Sequence, residues 1–81
     1  MTTETAINMF NEQIRMYATI REYLDKVTLR CDARAHGFDV YINDIEFYFV
    51  GDYSYDQIPT FVYCTISIMR EFYFESIKTA E

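Results

Sequence analysis

Residues 36–50 read HGFDVYINDIEFYFV. Apolar and polar side chains alternate on both sides of Asn43-Asp44, a pair whose residues both tolerate left-handed backbone. The pattern predicts two antiparallel strands joined by a two-residue turn at Asn43-Asp44, with Ile42 facing Ile45, Val40 facing Phe47 and Phe38 facing Phe49. A third strand precedes them. In the VTLRCDARA stretch from Val27, Leu29, Cys31, Ala33 and Ala35 alternate with Thr28, Arg30, Asp32 and Arg34. His36-Gly37 is expected as the connecting turn, glycine supplying positive φ, so that Ala35 faces Phe38, Ala33 faces Val40 and Cys31 faces Ile42. Every apolar member then lies on one face, as a sheet with one buried side requires. The opposite face is expected to carry two cross-strand rows, Asp32–Tyr41–Glu46 and Arg34–Asp39–Tyr48.

On either side of this meander the period becomes helical. From Thr3 to about Lys26, Ile7, Phe10, Ile14, Tyr17 and Leu24 form one stripe, and Met9, Met16, Ile20, Tyr23 and Val27 a second beside it. Together they cover more of a helix than one core face needs. Thr2 or Thr3 is placed to cap this helix, and Glu4 suits its positive end. After the connection GDYSYD (51–56) a second helix is expected, with Asp56 or Ser54 as cap and Pro59 in its first turn. Its broad face holds Ile58, Phe61, Val62, Cys64, Thr65, Ile68, Met69 and Phe72. The expected fold is α+β: a single small two-layer domain over residues 1–81, ordered helix, three-stranded antiparallel meander, helix.

Composition narrows the function. The 81 residues include eight tyrosines and seven phenylalanines but only two glycines and one proline, so the chain invests in core rather than loops and is not a disordered tail. No apolar run is long enough to span a bilayer, and the polar MTTETAINMF start lacks a signal pattern. Two cysteines, Cys31 and Cys64, are too few for the disulfide framework of a small secreted domain. They are expected as buried free thiols in a cytoplasmic protein, with a single disulfide left open.

Net charge is −6, and from Ala35 to Met69 there is no lysine or arginine, while Asp39, Asp44, Glu46, Asp52 and Asp56 fall within that stretch. Binding to nucleic acid or to an anionic membrane requires cations, so neither is expected. A basic protein surface is the electrostatic complement. The plainer reading, that the charge serves solubility, competes with it.

No catalytic, cofactor or metal motif emerges. His36, the only histidine, is expected in a turn with only Asp39 nearby. Two glycines do not build a phosphate loop. Asp52, Ser54 and Asp56 alternate as in a calcium loop, but Gln57 and Tyr63 stand where an EF-hand needs glycine and glutamate. The chain is therefore expected not to be an enzyme and to need no cofactor.

The expected partner surface comprises Asp39, Glu46, Tyr48, Asp52, Tyr53, Tyr55 and Asp56, combining carboxylates with tyrosines, which are enriched at interfaces. A row of carboxylates without cations imitates a nucleic-acid backbone. In size and charge alone the chain resembles the small acidic phage and mobile-element proteins that block CRISPR or restriction complexes. That resemblance implies an inhibitor or adaptor occupying the basic groove of a nucleic-acid-handling protein, and assigns no residues. The alternative is an interaction protein that acts through apolar helix surface, dimerising or docking through Tyr63, Arg70 and Phe74.

Overall fold

The computed structural model describes residues 1–80, with side chains as far as Lys78. The alternating segments form an antiparallel sheet of β1 (Leu29–Arg34), β2 (Gly37–Ile42) and β3 (Ile45–Gly51), in the order β1-β2-β3. At the second turn Asn43 and Asp44 both take left-handed backbone, φ 52° and 63°, and Ile42 pairs with Ile45. Asn43 also accepts from the Thr28 N–H through its side chain and donates its own N–H to the Thr28 carbonyl, both at 3.0 Å, which ties the start of β1 to this turn.

The first turn is Ala35-His36, not His36-Gly37. His36 takes the positive φ of 61°, and Arg34 pairs with Gly37. Phe38 therefore opposes Ala33, Val40 opposes Cys31 and Ile42 opposes Leu29. This differs by two residues from the expected register, and a two-residue shift keeps each side chain on its face. Gly37 is needed inside the strand. A Cβ there would lie 2.4 Å from the Val50 carbonyl oxygen and 2.5 Å from the Phe49 ring.

A bulge corrects the second hairpin. Tyr41 pairs with Glu46 but Val40 pairs with Tyr48, so Phe47 is an extra residue and the alternation reverses beyond it. Tyr48 and Val50 turn toward the core and Phe49 turns outward. The expected rows Asp32–Tyr41–Glu46 and Arg34–Asp39–Tyr48 do not form; Asp32 opposes Asp39, and Arg30 opposes Tyr41.

The N-terminal helix is broken. Helix α1 (Thr3–Arg15) is capped by Thr2, whose hydroxyl accepts from the Thr5 N–H at 3.1 Å, and α2 (Ile20–Lys26) follows after a short turn. Ile14 and Ile20 are six residues apart, roughly 240° on a straight helix. The break re-phases the chain so that Ile14, Ile20, Tyr23 and Val27 all reach the core, leaving Met16, Tyr17 and Leu24 exposed. The two adjacent stripes in the sequence are the trace of this break.

GDYSYD leaves β3 as a 3-10 turn over Asp52–Gln57 that runs into helix α3 (Ile58–Ala80). Backbone replaces the expected cap: the Ile58 N–H donates to the Tyr55 carbonyl, while the Ser54 hydroxyl donates to the Gly51 carbonyl at 2.9 Å. Helix α3 is wedged between two neighbours. Phe61, Thr65 and Phe72 meet the Tyr48 and Phe47 side chains of β3, and Tyr73 packs on Tyr23 of α2, ring centroids 5.3 Å apart. Its apolar arc is wide because it is buried on two sides. One core joins Phe10, Ile14, Phe38, Val40, Ile42, Val50, Val62, Ile66 and Met69, so all helices cover the same sheet face. Among the described residues, no helix is long and apolar enough to cross a membrane.

Candidate interaction surface

The outer sheet face begins with two arginines on β1. The Arg30 guanidinium lies over the Tyr41 ring, 4.3 Å from its centroid, and bonds Asp32 at 2.9 Å. Arg34 bonds Asp39 at 2.8 Å. These pairs offset the repulsion of Asp32 and Asp39, two carboxylates directly opposite each other across β1 and β2. Asp39 is 2% exposed. It was expected as an open docking group and is instead a structural ion-pair member covered by its neighbours on the central strand.

Glu46, on β3, is exposed. A hydrogen bond to Asp39 and the negative charge of Asp39 raise its pKa above the ordinary carboxylate value, with Arg34 pulling the other way. Arg34, Ala35, Asp39, Glu46 and Phe49 line an open concavity of about 450 Å³. One cation faces two carboxylates there beside an exposed ring, an arrangement that suits a cationic side chain from outside.

GDYSYD divides by side. Asp52 and Asp56 are exposed, and Tyr53 is 83% exposed. Asp52 bonds His36 Nδ1 at 3.2 Å, and its N–H donates to the His36 carbonyl at 2.8 Å, so the histidine's acidic neighbour is Asp52 rather than Asp39. Tyr55 is buried, stacked on Phe38 with its hydroxyl 3.2 Å from Thr3 Oγ. It belongs to the core and not to the surface. Tyr48 likewise faces inward. Its hydroxyl donates to the Phe61 carbonyl at 3.0 Å and contacts the Thr65 hydroxyl, and burial is the main cause that pushes its phenol up. Of the seven expected partner residues, Glu46, Asp52, Tyr53 and Asp56 remain open to solvent.

On α3, Tyr63 (65% exposed) and Phe74 (48%) share a face with Arg70, whose guanidinium lies 5.6 Å from the Phe74 ring centroid. Phe74 also meets the Tyr73 ring edge-on, so a cation and an aromatic neighbour account for its place among polar residues. Cys64 is exposed and not on the core face as expected. Cys31 is half-buried, and burial followed by the charge of Asp32 pushes its thiol up to about 12; both cysteines are free.

Sequence reasoning missed the exposed side of β3. Ile45, Phe47 and Phe49 are all open to solvent. Phe47 meets Phe72 edge-on at 5.9 Å, and between β3 and α3 a notch of about 210 Å³ is lined by Phe47, Ile68, Glu71, Phe72 and Glu75. The bulge turns Phe49 outward, which a strict alternation hides, whereas Ile45 keeps its expected pairing with Ile42 and is exposed on the edge strand. Among the described residues, no group of three or more His, Cys, Asp or Glu could hold a metal ion.

No protein-family model matches the chain, and no curated protein or solved structure matches it.

Proposed function

We propose that this chain is a non-enzymatic binding protein, an inhibitor or adaptor that docks its β3 side against a basic surface of a nucleic-acid-handling protein. The observation that carries this reading is one of placement. Asp44, Glu46, Asp52 and Asp56 are exposed along β3 and its flanks, next to Ile45, Phe47, Phe49 and Tyr53, within a stretch free of lysine and arginine. The arginines of the sheet are already engaged by Asp32 and Asp39. Exposed carboxylates around apolar and aromatic contacts reproduce the polar rim and apolar centre of a protein interface. The same charge pattern supports occupation of a groove that otherwise holds nucleic acid. The test is displacement of labelled duplex from a panel of basic nucleic-acid-binding domains. Competition that weakens with salt supports the reading; no competition at low salt removes it.

A second reading, homodimerisation through α3, has its own observation in Tyr63 and Phe74 exposed on one helix face. Light scattering at low salt and at about 0.5 M salt separates the two. The leading account expects a monomer at both. A salt-insensitive dimer that Phe74→Lys dissociates supports the second.

A further inference from the structure

The two edges of the sheet are managed differently. On β1, Arg30, Asp32 and Arg34 alternate along the strand, and helix α1 packs beside it. Charges and cover of this kind block the addition of further strands. On β3 the exposed apolar residues are Ile45 and Phe47 up to the bulge and Phe49 beyond it on the opposite face, with Glu46 the only charged residue and no lysine or proline. Among the described residues, the backbone of β3 pairs with β2 alone, so its outer edge carries no second ladder, although the Gly51 carbonyl at its end accepts from the Ser54 hydroxyl. The bulge at Phe47 interrupts that edge once. It also lays the Phe47 ring against Phe72 and so shapes the notch with Ile68.

We propose that the free edge of β3 takes up an extended segment of the partner as a fourth strand, and that this segment alternates basic with aliphatic residues. The inference rests on the reading of the β3 side as the docking surface for a basic protein. Its chemistry follows from the pleat. Side chains of an added strand point alternately to the two sheet faces. One set falls on the outer face, beside Glu46 and the concavity it shares with Asp39, Arg34 and Phe49. The other falls on the helix side, at the notch lined by Phe47, Ile68 and Phe72 together with Glu71 and Glu75. Lysine or arginine satisfies the first set, and valine, isoleucine or leucine meets the three apolar residues of the second. Asp44 and Asp52 stand at the two ends of β3 and favour cations along its length, with no lysine or arginine from 35 to 69 to oppose them. Backbone hydrogen bonds supply affinity in this mode and the alternating pockets supply specificity.

The probe is a short acetylated peptide alternating lysine and valine, compared with the same peptide N-methylated at every second residue and with a peptide of the same composition in two blocks. Methylation removes the donors of one edge and leaves charge and side chains intact, so the fold of the protein is not at issue. At roughly 50 mM salt, where surface charge is weakly screened, the alternating peptide is expected to bind and to protect the amides of Ile45–Gly51 from exchange. N-methylation or block order is expected to weaken it about tenfold or more. Equal binding of all three peptides overturns strand addition and leaves the charge reading standing. No binding by any of them overturns both. A dimer whose β3 amides are protected before peptide is added overturns the proposal in favour of a second copy on this edge.

Discussion

The Tyr48 hydroxyl on β3 donates to the Phe61 carbonyl on α3 at 3.0 Å, across the boundary between sheet and helix layers. Thr65 donates to the same carbonyl at 2.8 Å and meets the Tyr48 oxygen, closing a small polar knot against an apolar interface. No buried side-chain nitrogen or oxygen lacks a partner among the described residues. The knot adds to the Phe47–Phe72 and Tyr48–Phe61 ring contacts that hold the bulged strand against α3.

Tyr48→Phe removes one donor from this knot while Thr65 still serves the Phe61 carbonyl. The expected cost is about 1 kcal/mol, or a fall in Tm of roughly 4–8 °C for a domain of this size. Partner binding is expected to persist. Unchanged Tm with lost binding would put Tyr48 in the interface after all.

Gly37→Ala tests the corrected register. The added methyl would meet the Val50 carbonyl oxygen and the Phe49 ring well inside contact distance. Backbone and ring must both give way, at an expected cost of about 1–3 kcal/mol, read from urea denaturation. The pairing of Arg34 with Gly37 places this glycine in the strand and leaves Ala35 and His36 as the turn.

The face-level reading of the sheet was accessible from residues 28–50 because side-chain parity survives a two-residue slip. Three features were not. The Ala35-His36 turn competes with His36-Gly37, and the close approach of Phe49 and Val50 to Gly37 inside the strand is a contact between β2 and β3 that no local pattern contains. The bulge at Phe47 inverts Tyr48, Phe49 and Val50, all of which suit either face of an aromatic strand. The break after Arg15 shows only as an apolar arc too wide for one helix. The candidate surface changed accordingly. Tyr48, Tyr55 and Asp39 moved inward, whereas Asp52, Tyr53 and Asp56 kept their exposure because they follow the strand in a short turn.

Protonation of Glu46 carries a sign that can be checked. Its pKa is raised in the folded chain, so the native state holds this proton more tightly than the unfolded one. The resulting stabilisation is present below the ordinary value of 4.5 and is lost as pH rises through the raised value. Glu46→Gln keeps a neutral side chain at all pH and is expected to flatten that part of the profile. Thermal unfolding followed across acid to neutral pH reads the difference. Tm at neutral pH should equal or exceed that of the parent. A profile unchanged by the substitution would show that the neighbouring Asp39 charge does not raise the Glu46 pKa.

The salt dependence of binding to a basic nucleic-acid-binding domain tests the part played by the carboxylates along β3. It compares the parent chain with the triple variant Glu46→Gln, Asp52→Asn, Asp56→Asn. The parent is expected to lose affinity steeply between roughly 50 and 500 mM salt. The variant should bind about tenfold or more weakly at low salt, mostly through slower association, with a flatter salt profile. Equal affinities and parallel profiles would contradict the account, leaving the carboxylates along β3 with no part in binding.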